Sequence, residues 1–254
     1  IMASLGVMGS GKIEHESHQS LECGGLLLLI PALISQGLLK SKELYQYSEK
    51  YYYSLQTIVL TLALMSLARI RNPEQLKNCK SGEIGRLLGI DRIPETKCLR
   101  EKIHILASQD KSWEWNKEPM SLWINQDQRE DGSDNEILLY IDGHVRIYHG
   151  YKATLPVKFI SRQKLCLSAT TEFWVNDKEG LPLMVVLGQM SEKLQGAIID
   201  DIIPRLIESG QIKIIDKENP PTTPQCTLVF DREAYDFKFF EKLWDEYRIA
   251  FITY

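Results

Sequence analysis

The sequence is short of the features that mark several large classes of protein. It has five cysteines, an odd number, and they are widely spaced with no CxxC pair, which argues against a disulfide framework and a zinc pattern. None of the five histidines stands at ligand spacing from a cysteine. The first residues, IMASLGVMGSGK, lack the basic segment and long apolar run of a secretory signal. These absences predict a reduced, cytoplasmic protein with no structural zinc site.

An excess of positive charge is also missing. The 254 residues include 30 Lys and Arg against 34 Asp and Glu, for a formal net charge of -4. With 44% hydrophobic and 25% charged residues, the composition is that of a soluble globular protein with a sizeable core. A role in nucleic-acid binding must therefore rest on local charge rather than on the overall balance.

Two apolar stretches, residues 24–39 and 51–70, are interrupted by polar side chains. The first is too short for a bilayer core of about 30 Å and contains Pro31. The second contains Ser54 and Gln56 and ends among arginines. We therefore predict that both stretches are buried helices of a soluble domain and that the protein does not enter a membrane.

Residues 81–104 have the pattern of two helices joined by a turn. Gly89 can end the first helix, and Pro94 suits the start of the second. The pattern predicts either a DNA-binding helix-turn-helix or a helical pair that only packs; in the first case the second helix would present three basic residues, Lys97, Arg100 and Lys102. The polar run that follows predicts a linker at 126–136, after a mainly helical region at 1–125 and before a second domain at 137–254.

After the linker the pattern changes from helical to strand-like. Residues 136–148 alternate between apolar and polar side chains, with Asp142 on the polar face, and Gly143 in mid-run predicts a bulge. Residues 165–175 and 182–188 predict two more strands joined by a hairpin. The domain therefore opens with three antiparallel strands.

The rest of the second domain alternates helices and strands. We predict a helix over 191–209 with a kink at Pro204, a buried strand over 226–230, a helix capped by Asp236, and a final buried strand. A right-handed crossover places the strand that ends at Asp231 beside the first strand. The fold predicted is α/β with a mixed sheet, and the carboxyl groups of Asp142 and Asp231 should meet at one edge of it.

Carboxylates from two neighbouring strands suit two-metal phosphoryl transfer. Such a site holds two divalent ions about 4 Å apart, one to activate a water or a 3′-hydroxyl and one to stabilise the leaving oxygen. On spacing alone, two ordinary strand-end aspartates are the simpler interpretation of Asp142 and Asp231.

A resemblance to a known family favours the catalytic interpretation. Five consecutive blocks resemble those of DDE-type insertion-sequence transposases and together cover most of residues 60–254: RIRNPEQL, GEIGRLLGIDRIPETKCLREKI, YIDGHVRIYHG, SRQKLCLSATTEFWVND and LVFDREAYDFKFFEKLWDEYRIAFITY. The resemblance implies a ribonuclease-H-like catalytic domain that cleaves DNA at the ends of a transposon and joins the 3′-hydroxyl to target DNA.

The same resemblance implies the metal ligands. The aspartates of the DGH and FDRE blocks, Asp142 and Asp231, are the catalytic residues and would bind two Mg²⁺ ions, or Mn²⁺. The third carboxylate of the family belongs to a later helix. Because both ends of the chain look like cuts, we expect that helix to lie beyond Tyr254, and we assign the role to none of the available acids Glu233, Glu172 and Asp177.

Local charge supports DNA as the partner. From residue 143 to residue 171 there is no Asp or Glu, and the stretch adjoins the proposed catalytic strand. Cations in such a position suit a phosphate backbone, although a solvated basic loop has the same composition. The predicted contacts in the second domain are Arg146, Lys152, Lys158, Arg162, Lys164 and Arg232. A homo-oligomer is compatible with this function.

Two other functions compete with the transposase. The first is a non-catalytic DNA-binding remnant of such an enzyme. The second is a nucleotide-hydrolysing protein, because GVMGSGK at residues 6–12 has the glycine and lysine spacing of a phosphate-binding loop. Ile13 stands where that loop has Ser or Thr for magnesium, so we interpret the segment as an ordinary N-terminal loop.

Overall fold

The computed structural model describes residues 23–130, 137–150, 153–160, 163–189, 192–216 and 218–253. The chain divides into two compact units, Ile1–Trp115 and Asn116–Tyr254. Helix α6 (Ser112–Glu130) runs into the region of the predicted linker, because the glutamines, arginine and glutamate at 126–130 are good helix formers. Residues 131–136 lie outside the described residues, and the domain boundaries drawn from the sequence stay a prediction.

The first unit is built of helices and short 3-10 turns. In chain order these are the 3-10 turn Gly24–Leu29, α1 (Ile30–Ser35), the 3-10 turn Leu38–Lys40, α2 (Ser41–Leu44), α3 (Leu55–Leu67), the 3-10 turn Pro73–Asn78, α4 (Ser81–Leu87), α5 (Thr96–Ala107) and the start of α6. Ser54 caps α3 by accepting a hydrogen bond from the backbone N–H of Thr57. Residues of α3, α4 and α5 share one apolar core, which includes Ile58, Leu64 and Leu99.

The two apolar stretches of this unit, residues 24–39 and 51–70, differ in burial. The buried helix predicted at 51–70 is confirmed over Leu55–Leu67, where seven residues are buried. The buried helix predicted at 24–39 is wrong: the 3-10 turn and α1 contain no buried residue, and Leu28 is 82% exposed. The stretch is not one regular helix: its first part is a 3-10 turn, α1 has only six residues, and Gly37, with a φ of 88°, ends the helical run.

The helices of the described residues also bear on the prediction that the protein does not enter a membrane. No single one of them is long and apolar enough to cross a bilayer. One pair, Gly24–Ser35 with Leu38–Leu44, meets the criteria of length and composition when its two pieces are taken together, but it is bent by 66°.

The second unit is built on a mixed sheet, to which the described residues contribute six strands. They are β1 (Ile137–Ile147), β2 (Val157–Ile160), β3 (Leu165–Asn176), β4 (Pro182–Gln189), β5 (Cys226–Phe230) and β6 (Ile249–Thr253). β1 lies between antiparallel β3 and parallel β5, and β6 pairs in parallel with β5. Both β2 and β4 pair antiparallel with β3. The predicted α/β class and mixed sheet are confirmed, whereas β2 is too short to show a period in the sequence.

Gly143 does not mark a bulge, contrary to the sequence prediction. Asp142, Gly143 and His144 pair without interruption with the β3 residues 174, 173 and 172. A Cβ built at Gly143 would meet the ring of Phe173 at 3.4 Å, so the glycine fits under that ring in regular strand geometry. The register shift in this part of the sheet lies between Val175 and Asn176.

The second unit also contains the rest of α6, from Asn116 onwards, which precedes β1. Its other helical segments in the described residues lie between strands: α7 (Leu194–Gly196), a π-helical turn (Ala197–Ile202), α8 (Ile203–Glu208), the 3-10 turn Arg232–Ala234 and α9 (Phe237–Tyr247). The helix predicted over 191–209 is thus divided, and Pro204 stands in the first turn of α8 directly after the π-helical turn, where its missing N–H removes a regular hydrogen bond. Asp236 caps α9 as predicted, since its Oδ1 accepts a 3.0 Å hydrogen bond from the N–H of Phe239.

The two faces of the sheet differ along β1. Leu139 and Ile141 are buried, whereas Asp142 and His144 are exposed, because successive side chains of a strand point to opposite faces. On the buried face the Phe230 ring packs against aromatic rings of α9. The core on one face therefore positions the polar side chains of β1 on the other.

Candidate active site

Asp142 lies within β1, and Asp231 directly follows the adjacent parallel strand β5. In the register of β1 and β5, Tyr140 pairs with Val229 and Ile141 with Phe230, and an aspartate follows next on each strand. Paired strands are about 4.8 Å apart, and the pairing of β1 with β5 ends one residue before the two aspartates. Both aspartates are exposed, and Asp231 keeps an extended backbone with φ -67° and ψ 153°. The two aspartates thus follow the last paired residues of β1 and β5, Asp142 within β1 and Asp231 just after β5.

The turn after β5 leaves the carboxylate of Asp231 available. A 3-10 turn, Arg232–Ala234, begins directly after Asp231, which makes no side-chain capping bond to it. The turn is held from its other end, because Ala234 is buried and its carbonyl accepts a 3.2 Å hydrogen bond from the side chain of Gln195. A well-anchored turn therefore presents Asp231 at the end of its strand.

A cleft of about 630 Å³ lies along β1, and Asp231 is not among the residues that line it. Three carboxylates line it, those of Asp142, Glu192 and Glu233, together with Arg146. Glu192 reaches over Gly188, where an added Cβ would come within 2.6 Å of its Oε2. Nothing in the local sequence pattern indicates that Glu192 belongs to this cleft, because the approach depends on how the chain folds back after β4.

The aspartate pair fits part of the ligand set of magnesium. Mg²⁺ is commonly held by one or two carboxylates and keeps several water or phosphate ligands. Within the residues that the structure describes, no group of three or more His, Cys, Asp or Glu is close enough together to hold a metal ion. The described residues therefore contain no complete protein cage for a metal ion, and a ligand role for Asp142 and Asp231 stays a prediction.

An ion pair joins β1 and β3 on the same face as Asp142. Nε of Arg146 donates to Oε1 of Glu172 at 2.8 Å. Glu172 pairs in register with His144, and Asp142 pairs with the next residue but one, Trp174. The side chain of Arg146 is 66% exposed and that of Glu172 only 9%. The sequence could have drawn attention to Glu172, because it is the one carboxylate in the strand sequence LCLSATTEFWV. No local pattern identifies Arg146 as its partner.

The other predicted DNA contacts of this unit lie in turns or outside the described residues. Lys164 is exposed in the turn between β2 and β3, with a φ of 54° and its N–H bonded to the carbonyl of Ile160. Arg232 is exposed next to Asp231. The backbone of Lys158 lies in β2, but its side chain is outside the described part, as are Lys152 and Arg162.

The basic residues predicted on α5 occupy three different environments. Lys97 is exposed, and Arg100 is exposed but pairs with Glu74 at 3.0 Å. Lys102 is 6% exposed, and its ammonium lies 3.1 Å from the centre of the Tyr51 ring. The prediction that Lys102 is presented to DNA is therefore corrected: the aromatic ring and the surrounding core take up its charge.

The connection between α4 and α5 is longer than that of a DNA-binding helix-turn-helix. Such motifs use a turn of about 3–4 residues, whereas here the chain from Leu88 to Glu95 separates the two helices. Ile90 and Ile93 of this connection are buried in the core. The connection passes close to Gly85, since a Cβ at that position would lie 2.6 Å from Cα of Arg92. The arrangement favours the helical pair that packs. The glycine loop at residues 6–12 lies outside the described residues.

Comparison with known proteins identifies one family. A family model described as "Transposase protein" matches the chain over residues 1–254. No curated protein matches the chain.

Proposed function

The chain belongs to this family of transposase proteins, and we propose that it cuts and joins DNA strands at a metal site formed by Asp142 and Asp231. One observation supports the assignment to these residues: the parallel pairing of β1 and β5 runs to Ile141 and Phe230, and an exposed aspartate follows each of them. The strand order and directions around β1 are consistent with the ribonuclease-H-like fold that the resemblance implies.

The proposed site needs divalent metal. Bound Mg²⁺ or Mn²⁺ would supply activation of the attacking water or 3′-hydroxyl and stabilisation of the leaving oxygen. Asp142 and Asp231 would hold the two ions from the sheet side, and oxygens of water and of the DNA phosphate would complete their shells. The third carboxylate of the DDE pattern is not assigned to a described residue.

The DNA backbone would lie along the edge where the aspartates stand. Arg146 lines the cleft, Arg232 follows Asp231, and Lys164 is exposed at the turn before β3. Phosphate contacts by such side chains position a duplex without reading its sequence, and they release counterions. Lys152, Lys158 and Arg162 belong to the same proposed set, and Lys97 and Arg100 are proposed to contact a separate segment of the DNA, at the transposon end or in the target.

Substitution of each aspartate by asparagine tests the proposal. Asp142→Asn and Asp231→Asn keep the side-chain shape but remove the charge that holds a cation. Asp245→Asn, an exposed aspartate on α9, is the matched control. We would measure Mn²⁺ binding to the chain with a DNA duplex by titration calorimetry, and Mn²⁺-dependent nicking of supercoiled plasmid alongside it.

We expect each active-site variant to lose Mn²⁺ affinity by about tenfold or more, with DNA binding retained and Asp245→Asn unchanged, because a charged ligand is lost in each case. Any nicking by the parent chain should disappear in the same two variants. Undiminished Mn²⁺ binding, or nicking that persists in either variant, would show that the substituted aspartate is not a metal ligand.

A further inference from the structure

We propose that Glu172 is a positioning residue, which holds the guanidinium of Arg146 so that its outer edge contacts a DNA phosphate beside Asp142. The inference rests on the proposed function, since it needs DNA at this edge of the sheet. It adds a residue that no sequence pattern connects with DNA, because Glu172 carries the same charge sign as the phosphate it would help to bind.

In this ion pair, the edge of the Arg146 guanidinium formed by its two Nη groups is left free to bind a phosphate. Glu172 receives its hydrogen bond from Nε, the nitrogen nearest the side-chain stem. The two terminal Nη groups lie farther along a side chain that is 66% exposed. Those two groups form the edge that binds a phosphate through paired hydrogen bonds. A carboxylate at Nε therefore orients the fork without covering it.

The backbone under Glu172 is held from both sides. Its strand pairs at this position with His144 of β1 and with Leu187 of β4. Arg146 itself lies on β1 beyond the end of β5, whose pairing with β1 stops at Ile141 and Phe230. A firmly held carboxylate thus anchors a long side chain on the more open part of the sheet.

Burial of Glu172 is costly unless its charge is compensated. The residue is 7% exposed on a strand that is otherwise largely apolar. Replacing a buried ion pair by apolar residues is often neutral or stabilising, so stability alone is a weak reason for an acid at this place. Preorganisation of Arg146 provides a reason, because a fixed side chain loses less entropy when the phosphate binds.

The direction in which Glu172→Gln changes DNA affinity distinguishes a positioning role from a general charge effect. Glu172→Gln removes a negative charge close to the proposed DNA path, so charge alone predicts tighter binding. Positioning predicts weaker binding, because Arg146 loses its anchor. We would measure the Kd of the full chain for a fluorescent duplex over a salt series, with thermal unfolding of each variant as a check of folding.

We expect Glu172→Gln to weaken binding by about fivefold, the order of one charge-assisted hydrogen bond partly lost. In an Arg146→Ala background the same change should not weaken binding further, since nothing remains to be positioned. Asp201→Asn is the matched control: it also removes a carboxylate, from an ion pair with Arg205 at 3.9 Å on the helical segment. It should leave the Kd unchanged or lower it slightly.

Arg146→Lys tests the same role at an exposed position, where a substitution disturbs folding less than at the buried Glu172. Lysine keeps the charge but has no second edge to present when its ammonium is paired with Glu172, so positioning predicts weaker binding by a similar factor. A general charge effect predicts binding equal to the parent chain. This arm decides the question even if Glu172→Gln fails to fold.

The outcomes separate the two proposals. A parent chain without salt-dependent DNA binding would overturn the proposed function. A parent chain that binds and is weakened by Arg146→Ala, but not by Glu172→Gln or Arg146→Lys, would overturn the positioning role alone. The positioning role would be supported if Glu172→Gln and Arg146→Lys each weaken binding and Glu172→Gln has no added effect in the Arg146→Ala background.

Discussion

Lys102 in the helical unit and Arg146 in the sheet unit are both DNA contacts in the sequence prediction, yet they occupy opposite environments. Lys102 is 6% exposed over the Tyr51 ring. The Arg146 side chain is 66% exposed, with a buried carboxylate beneath it. Both cations have a partner within the protein, but Lys102 is buried with its partner, whereas most of the Arg146 side chain stays exposed to solvent.

The difference shows what a count of basic residues leaves out. A helix has a buried side even where its sequence is polar, so a lysine on α5 can direct its ammonium inwards and pack its stem. A strand alternates between its faces, so Arg146 shares the outer face with Asp142. Positive charge near a proposed site therefore argues for DNA only when the side chain faces solvent.

The largest effect that separates the two cations should come from Lys102→Ala. The change removes a desolvated cation–π contact, and we expect the free energy of unfolding to fall by about 2 kcal/mol. Lys102→Met, which keeps the apolar stem, should recover part of the loss. Denaturant unfolding measures both. DNA affinity should not change. A clear loss of DNA affinity in a folded Lys102→Met variant would show that Lys102 contacts DNA after all.

A smaller and purely functional effect is expected for Arg232→Ala at the sheet edge. Arg232 is exposed beside Asp231, so its removal should leave unfolding unchanged. It should reduce the slope of log affinity against log salt by about 0.9, the value for one phosphate contact on duplex DNA. The salt series used for Glu172→Gln measures it, and an unaltered slope would place the DNA away from this turn.

Alkaline pH should weaken the helical unit through a tyrosine near Lys102. Burial, followed by the nearby groups Cys98, Tyr51 and Glu101, raises the pKa of Tyr47 from 10.0 to about 12. The neutral hydroxyl, which donates to the carbonyl of Tyr53 at 3.1 Å, is therefore favoured in the folded state. Its contribution to stability is complete below pH 10 and is lost as the pH rises towards about 12.

Tyr47→Phe provides the control for this pH dependence. The variant lacks the ionisable hydroxyl, so its unfolding temperature should fall less steeply across the same alkaline range than that of the parent chain. Near-ultraviolet circular dichroism during heating follows the transition. Parallel curves for the two proteins would mean that ionisation of Tyr47 does not contribute.

The smallest effect is expected for Arg100→Ala, two residues before Lys102 on the same helix. The ion pair of Arg100 with Glu74 joins side chains that are 56% and 47% exposed. Exposed pairs of this kind contribute about 0.5 kcal/mol, so the unfolding free energy should scarcely change. A loss as large as that for Lys102→Ala would contradict the contrast between an exposed and a buried cation on the same helix.

Local pattern was a good guide to the sheet unit and a poor one to the N-terminal stretch. Alternation indicated β1, two strand-like runs joined by a hairpin indicated β3 and β4, and Asp236 indicated the start of α9, because such patterns are properties of neighbouring residues. The same reasoning failed at residues 24–39, where hydrophobicity predicts burial but no residue of Gly24–Ser35 is buried. An apolar segment is buried only if the rest of the chain supplies a surface to cover it.

By itself, the sequence determined the order of most strands and helices, and through the right-handed crossover it determined that Asp142 and Asp231 stand on neighbouring strands. Only the tertiary structure decided the environment of each charge: Lys102 over Tyr51, Arg146 on Glu172, Glu192 at the cleft. The physical reason is range. Strand and helix periods depend on residues a few positions apart, whereas the partner of a charged side chain comes from a distant segment that only folding brings near.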